Sequence, residues 1–169
     1  MKIRPATPDD ALAISNVRVA AWRGAYQPFM PAEFLDGLDP EQGLNNWRER
    51  LSTPSENWVT SVAEEKGVVV GFVVVGAPRY KAQENVAELW ALNVHPSFWR
   101  RGIGRALTHH AIDAAKSMQY TGIELWCLRG NIAAQNAYES CGFRITEECR
   151  STSHLVGTVL HEVLYAKTL

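Results

Sequence analysis

Two glycines and three arginines, between a predicted strand and a predicted helix, form the segment of this chain with the clearest chemistry. Gly102 and Gly104 lack the side chains that would keep a ligand away from the backbone. The helix that begins beside them presents unpaired N–H groups and the positive end of its dipole. Arg100, Arg101 and Arg105 add charge that a phosphate can pair with. We interpret the segment as a cradle for a pyrophosphate.

Two other kinds of nucleotide-binding turn do not fit the sequence. A P-loop requires Gly-Lys-Ser or Gly-Lys-Thr after its glycines, and a dinucleotide-binding fold requires three glycines and an acidic residue about twenty positions further on. Neither pattern occurs here. A second segment strengthens the interpretation, because Asn131, Ala134 and Tyr138 are three and four residues apart and so share one face of a helix.

Together the two segments resemble the GNAT superfamily, the Gcn5-related N-acetyltransferases, which move an acyl group from coenzyme A to an amine. In that family Gln/Arg-x-x-Gly-x-Gly/Ala holds the pyrophosphate, and Asn-x-x-Ala-x-x-x-Tyr-(x)-Gly-Phe follows on the fourth helix. The residues that match are Gly102, Gly104, Asn131, Ala134, Tyr138, Gly142 and Phe143. Residues 3–7 and 21–26 also resemble one broad GNAT group, so the resemblance covers nearly the whole chain. Trp99 departs from it, since Gln or Arg is usual there.

The resemblance implies a mixed α/β fold. A central twisted sheet of about seven strands would splay between its fourth and fifth strands, with four helices around it. Acetyl-CoA would be the cosubstrate, with its pantetheine arm in the gap. The implied cofactor-binding residues are Leu92, Asn93, Val94, Arg100, Arg101, Gly102, Ile103, Gly104, Arg105, Asn131, Ala134 and Tyr138.

Transfer to an amine requires a deprotonated acceptor, a positioned thioester carbonyl and a proton for the departing thiolate. Tyr138 is the predicted donor to the sulfur, because a phenol with a pKa of about 10 is protonated at neutral pH. The alternative is a tyrosine that packs its ring on the fifth strand. Five matching motif positions favour the catalytic role.

Glu88 is the predicted general base. It lies in an otherwise apolar strand, where desolvation would raise its pKa. It also precedes Gly102 by the interval that separates the base glutamate from this glycine in Gcn5-like histone acetyltransferases. The alternative is a solvated glutamate near a strand end, and Glu124 is a reserve candidate. Some members that modify protein N-termini carry the base where this chain has Trp126, which weighs against that substrate class.

The acceptor site is predicted to include Tyr26 and Phe29, which Gly24 and Pro28 flank in a loop. Aromatic side chains there could stack on a substrate or enclose an amine. Trp22 and Trp47 are assigned instead to the core or to a dimer interface.

Composition bears on the number of domains, the kind of partner and the cellular compartment. With 169 residues, 46% of them hydrophobic, we expect one domain over residues 1–169. A net charge of -1 gives no field that favours nucleic acid or a membrane. Three cysteines without a Cys-x-x-Cys pair fit a reducing compartment, and without a leader or a long apolar run the protein is expected to be cytoplasmic. No metal is implied, since the adjacent His109 and His110 point in different directions on a helix.

Periodicity and turn signals predict the helices and strands that carry these residues. Thr7 and Pro8 indicate a helix start, and prolines 28, 31 and 40 separate a loop from a second helix ending near Ser52. The other predicted elements are strands 58–64, 68–75, 86–94 and 123–129, a helix after Gly102, a helix at 131–141 and two closing strands.

The predicted function is therefore an N-acetyltransferase that moves an acetyl group directly to a primary amine of a small molecule or peptide. Alternatives are a non-catalytic coenzyme A-binding module and a protein N-terminal or lysine acetyltransferase. Homodimers are frequent among similar proteins, so a homodimer is also expected.

Overall fold

A mixed seven-stranded sheet organises the protein, in the order β1-β2-β3-β4-β5-β7-β6. The structure is a computed structural model, and it describes residues 1–53, 55–79, 85–153 and 157–169. The strands are β1 (Lys2–Pro5), β2 (Trp58–Glu65), β3 (Val68–Gly76), β4 (Val86–Val94), β5 (Gly122–Leu128), β6 (Arg144–Thr152) and β7 (Leu160–Thr168). β4 and β5 pair in parallel, and the other neighbouring strands pair antiparallel.

Helices cover both faces of this sheet. They are α1 (Ala11–Ala25), α2 (Ala32–Asp36), α3 (Leu44–Ser52), α4 (Ile103–Ser117) and α5 (Ile132–Ser140). The described part of the chain thus has one helix more than the four expected. The additional helix is the five-residue α2, which follows Pro31 in the region predicted to be a loop. None of the described helices is both long and apolar enough to cross a membrane.

Two apolar layers hold the helices to the sheet. On one face, Ile103, Leu107 and Ala111 of α4 pack with strand residues in the largest buried cluster. On the other face, Ile14 and Val17 of α1 pack against Phe72 and other residues of β2 and β3. The sheet therefore separates α4 from the helices α1 and α3.

The sheet opens between β4 and β5. These strands pair over three positions, from Val86 opposite Gly122 to Glu88 opposite Glu124. Beyond that point β4 stays with β3 as far as Val94, and β5 stays with β7 as far as Leu128. A register shift against β3 adds one residue to β4 at Trp90, and such a bulge bends a strand. The predicted splay is confirmed.

Candidate active site

The turn between β4 and α4 forms the predicted cradle. Gly102 adopts φ +79° and is the N-cap of α4, and Arg100 two residues earlier has φ +59°. The amide of Ala106 donates to the Gly102 carbonyl at 3.0 Å. The amides of residues 103–105 precede the first bond of the helix and so have no acceptor within it. These N–H groups and the dipole of a 15-residue helix make an anion-binding end.

The two glycines keep this end open. A Cβ built on Gly102 would meet no atom of the described residues within 4 Å, and one on Gly104 would reach Leu92 and Val94 at an ordinary 3.9 Å. Packing within the protein therefore does not require either glycine. The left-handed backbone conformation favours glycine at position 102. At both positions, the absence of a side chain leaves space for a ligand. The residues present fit a diphosphate bound through main-chain N–H groups.

The three arginines of the cradle are exposed. Arg101 stacks on Phe98, with its guanidinium carbon 4.9 Å from the ring centroid. Guanidinium groups at the solvent edge of the cradle can pair with phosphate oxygens without a burial cost.

Trp99, at the position that departs from the family motif, braces the cradle. Its indole Nε1 donates to the Val94 carbonyl at 2.6 Å, so this carbonyl of β4 already has a partner within the protein. Its ring lies against α1, because a Cβ built on Gly24 would stand 2.8 Å from Trp99 Cη2. Trp99 therefore ties the end of β4 to α1.

A cavity of about 150 Å³ lies on the α1 side of the opening between β4 and β5. Its described lining residues are Arg18, Trp22, Tyr26, Trp47, Phe72, Leu89, Trp90, Ala91, Leu92, Asn93, Leu125, Trp126 and Tyr138. The structure thus brings together four of the residues singled out from the sequence, namely Tyr26, Leu92, Asn93 and Tyr138. Glu88 and Phe29 are not on this wall.

Tyr138 projects from α5 into the wall of the cavity. Its ring meets Phe143 edge-on with centroids 6.0 Å apart, and it packs against the α4-side core. Burial raises the pKa of Tyr138 above its ordinary value. The phenol therefore keeps its proton at neutral pH, as a hydrogen-bond donor must.

Glu88 is 2% exposed and forms an ion pair with Arg79. Its Oε2 accepts from the Arg79 backbone amide at 2.8 Å, and its Oε1 accepts from Arg79 Nε at 3.1 Å and from Nη2 at 2.5 Å. Both carboxylate oxygens are thus engaged. Glu88 is the last residue of β4 that pairs with β5, and Arg79 lies in the segment that follows β3. The ion pair therefore joins these two parts of the chain.

The two aromatic residues predicted for the acceptor site, Tyr26 and Phe29, lie in different environments. Tyr26 lines the cavity and meets Trp22 edge-on at 5.3 Å, and burial raises the pKa of Tyr26 to about 12. Phe29 instead packs in a small apolar cluster around Met30 and Leu128. A Cβ on Gly130 would stand 3.5 Å from its ring.

The remaining motif residues shape α5. The Asn131 side chain accepts from the Ala134 amide at 3.3 Å and so caps the helix. Ala134 packs against the core beside α4. By capping α5 and packing it against the core, these two residues fix the position of the helix that carries Tyr138.

Sequence reasoning missed most of the aromatic wall and Arg18, the one arginine among the described lining residues. Trp22 and Trp47 were assigned to the core or an interface, and both line the cavity, although Trp47 also packs edge-on against Phe72 at 5.4 Å. Arg18 could have been noticed, because it lies four residues from both Ile14 and Trp22 and so interrupts an apolar helical stripe.

A strand pair that opens beside a glycine turn and a helix N-terminus defines an acyl-coenzyme A transferase fold. The sequence model of the family described as "Acetyltransferase (GNAT) family" matches residues 19–143 of this chain. The chain therefore belongs to that family. The predicted activity, an acetyl-CoA-dependent N-acetyltransferase, is thereby confirmed at the level of the family.

Three proteins illustrate the similarity. The uncharacterized N-acetyltransferase YuaI of Bacillus subtilis is 26% identical over 157 residues, which are 86% of this chain and 88% of YuaI. The mycothiol acetyltransferase of Acidothermus cellulolyticus is 30% identical over 83% of this chain, which spans 47% of that protein. The PaiA N-acetyltransferase of Thermoplasma acidophilum, solved in complex with coenzyme A, has a TM-score of 0.77 at 18% identity, over 99% of this chain and 98% of that one.

Proposed function

We propose that the acceptor is a primary amine of a small molecule or peptide, and that it attacks the thioester directly while both substrates are bound. The observation that supports this is the aromatic cavity, which adjoins the opening between β4 and β5 and has Tyr138 on its wall. An amine in this cavity would be held near a thioester threaded through the opening, which lowers the entropic cost of the reaction.

In the proposed complex, acetyl-CoA supplies an activated acyl carbon and a thiolate leaving group. The cradle amides of residues 103–105 bind the diphosphate, and Arg100, Arg101 and Arg105 pair with its charge. The free edge of β4 at Leu92 and Asn93 orients the pantetheine arm. Asn131 and Ala134 lie alongside it on α5.

The chain's own side chains would manage the protons. A C–N bond forms to the amine and the C–S bond breaks, so the thiolate gains a proton and the amine loses one. Tyr138 donates a hydrogen bond to the sulfur. Glu88 takes the amine proton, and because its oxygens are engaged by Arg79, it does so through an intervening water.

Turnover with a broad panel of amines and labelled acetyl-CoA, with products identified by mass, tests this function. We expect N-acetylated products and one equivalent of free thiol for each. A protein that binds acetyl-CoA without acetylating any small amine or peptide in the panel would contradict the proposal and favour a coenzyme A-binding module.

Glu88→Gln is expected to lower kcat about a hundredfold at neutral pH, the usual size of a general-base contribution. The loss should shrink as the pH rises, because the acceptor amine is then deprotonated without help. The measurement is a pH profile of kcat for the wild type and the variant.

Arg79→Lys is the matched control for Glu88. It keeps a positive charge beside the carboxylate and removes the two-pronged contact. We expect reduced thermal stability with kcat within a few-fold of the wild type. A rate loss for Glu88→Gln that is the same at every pH, or that Arg79→Lys reproduces, would assign the pair to structure alone.

The resemblance further leads us to propose a homodimer in the cytoplasm. Light scattering coupled to size exclusion measures the oligomeric state directly. A single species of monomer mass at micromolar concentration would contradict the dimer.

A further inference from the structure

Arg18 is the charged residue on the cavity wall that the proposed mechanism does not use. It projects from the middle of α1, and its guanidinium lies 5.4 Å from the centroid of the Trp22 ring. The other described lining residues are neutral. Arg18 lies on the face of the sheet opposite α4, and the cradle for the diphosphate lies at the N-terminus of α4.

Arg18 is half-buried, and one nitrogen of its guanidinium is left unsatisfied by the described residues. Its Nε has no hydrogen-bond partner among the described residues, although the atom is shielded from solvent. Burial lowers the pKa of Arg18. A buried donor of this kind is costly unless a ligand satisfies it.

Other arginines on this side of the sheet are accommodated differently. Arg79 pairs with Glu88, as described above. Arg50 stacks between the rings of Trp47, Trp58 and Trp90, at 5.1 to 5.9 Å from their centroids, and does not line the cavity. Arg18 alone among these three combines a place on the cavity wall with an unsatisfied nitrogen.

We propose that Arg18 binds a carboxylate of the acceptor, so that the acceptor is a small amino-carboxylate with one transferable amine. This inference rests on the proposed N-acetyltransferase function and names its substrate class. A planar guanidinium matches a carboxylate in geometry and in charge. The aromatic walls suit an apolar body between the two groups. The cavity volume of about 150 Å³ favours a small acceptor.

The turnover test compares each amino acid with its own amide, using L-alanine and L-alaninamide, L-phenylalanine and L-phenylalaninamide, and β-alanine and β-alaninamide. The variant is Arg18→Met, which keeps much of the length of the side chain and removes its charge. We expect kcat/KM to fall at least tenfold more for the acid than for the amide, the usual effect of one lost charge-assisted hydrogen bond. Comparing the acid-to-amide ratio between proteins cancels the intrinsic difference in amine basicity.

Two further variants sharpen the result. Arg50→Met removes a neighbouring arginine that is not on the cavity wall, and it should leave the acid-to-amide ratio unchanged. Arg18→Lys keeps the charge without the planar fork, and it should retain part of the preference. An equal loss for acid and amide in Arg18→Met, or no loss for either, would overturn the inference while leaving the acetyltransferase function intact.

A binding test separates this inference from the proposed function. With coenzyme A saturating, N-acetyl-L-alanine and N-acetyl-L-phenylalanine are titrated by calorimetry against their amides. We expect the acids to bind the wild type at least tenfold more tightly than Arg18→Met, with the affinity for coenzyme A preserved. If no amine is acetylated but this difference is found, the function fails and the carboxylate site stands. Equal binding of the acids to both proteins would refute the site.

Discussion

Replacing Gly102 by valine is expected to weaken coenzyme A binding at least a hundredfold. The substitution places a branched side chain in the space assigned to the diphosphate, where a built Cβ meets no atom within 4 Å in the part of the chain that the structure describes. Displacing the ligand by a few tenths of a nanometre breaks two or more charge-assisted bonds to backbone amides, each contributing about 1.5–3 kcal/mol. Calorimetric titration of coenzyme A measures the loss directly.

Gly67 provides a matched control for the backbone strain in this variant. It has φ +80° in the β2–β3 turn, against φ +79° at Gly102, and a Cβ there likewise has no described atom within 4 Å. Gly67→Val and Gly102→Val should each lose about 1–2 kcal/mol of stability, because a left-handed conformation is unfavourable for a residue with a Cβ. Gly67→Val should nevertheless bind coenzyme A like the wild type. Unchanged affinity in a folded Gly102→Val protein would refute the cradle.

The sequence was most informative where local chemistry determines structure. The glycine turn and the helix after it depend on neighbours within a few residues, and the motif positions identified them. The splay between β4 and β5 is not local, since it depends on which strands remain paired beyond Glu88. It was predicted because the two motifs resemble a family with a known fold, and not from hydrophobic periodicity.

The cavity beside α1 shows where sequence reasoning was incomplete. Trp22 and Trp47 are far apart along the chain, and each alone is typical of a core residue. Their common wall exists because α1 and α3 pack on the same face of the sheet, across from Trp126 of β5. The Arg79 contact to Glu88 was equally inaccessible, because it forms where the chain leaves β3 and returns along β4. Both features arise from packing between distant segments.

One local signal was nevertheless available in α1. Arg18, Trp22 and Tyr26 follow one another at intervals of four residues, so they lie on one side of the helix and its C-cap. An arginine in such a row must be either partnered or ligand-binding, since burying an unpaired charge is costly. A search for charged residues within apolar helical stripes would have identified this position before the structure did.

Tyr138→Phe is expected to reduce kcat about a hundredfold or more, with little change in coenzyme A affinity. The variant removes the hydroxyl of a residue that lines the cavity, and it preserves the ring contact with Phe143. Loss of a positioned proton donor typically costs a factor of about 10²–10⁴ in rate. Because the pKa of Tyr138 is raised by burial, its ionisation should not reduce the wild-type rate below about pH 10, the ordinary value for a phenol. Steady-state kinetics from pH 6 to about pH 9.5 measures both effects.

Tyr165→Phe is the control that separates a catalytic hydroxyl from a structural one. The Tyr165 hydroxyl donates to Glu139 at 3.1 Å, and Tyr165 does not line the cavity. Its removal should cost about 1.5–3 kcal/mol of stability, as for a hydrogen bond to a charged group, while kcat stays at the wild-type value. Tyr138→Phe should show the opposite pattern, with stability preserved and kcat lost. If Tyr138→Phe turns over at the wild-type rate, another group must protonate the thiolate, and water reaching the sulfur through the opening between β4 and β5 becomes the simplest donor.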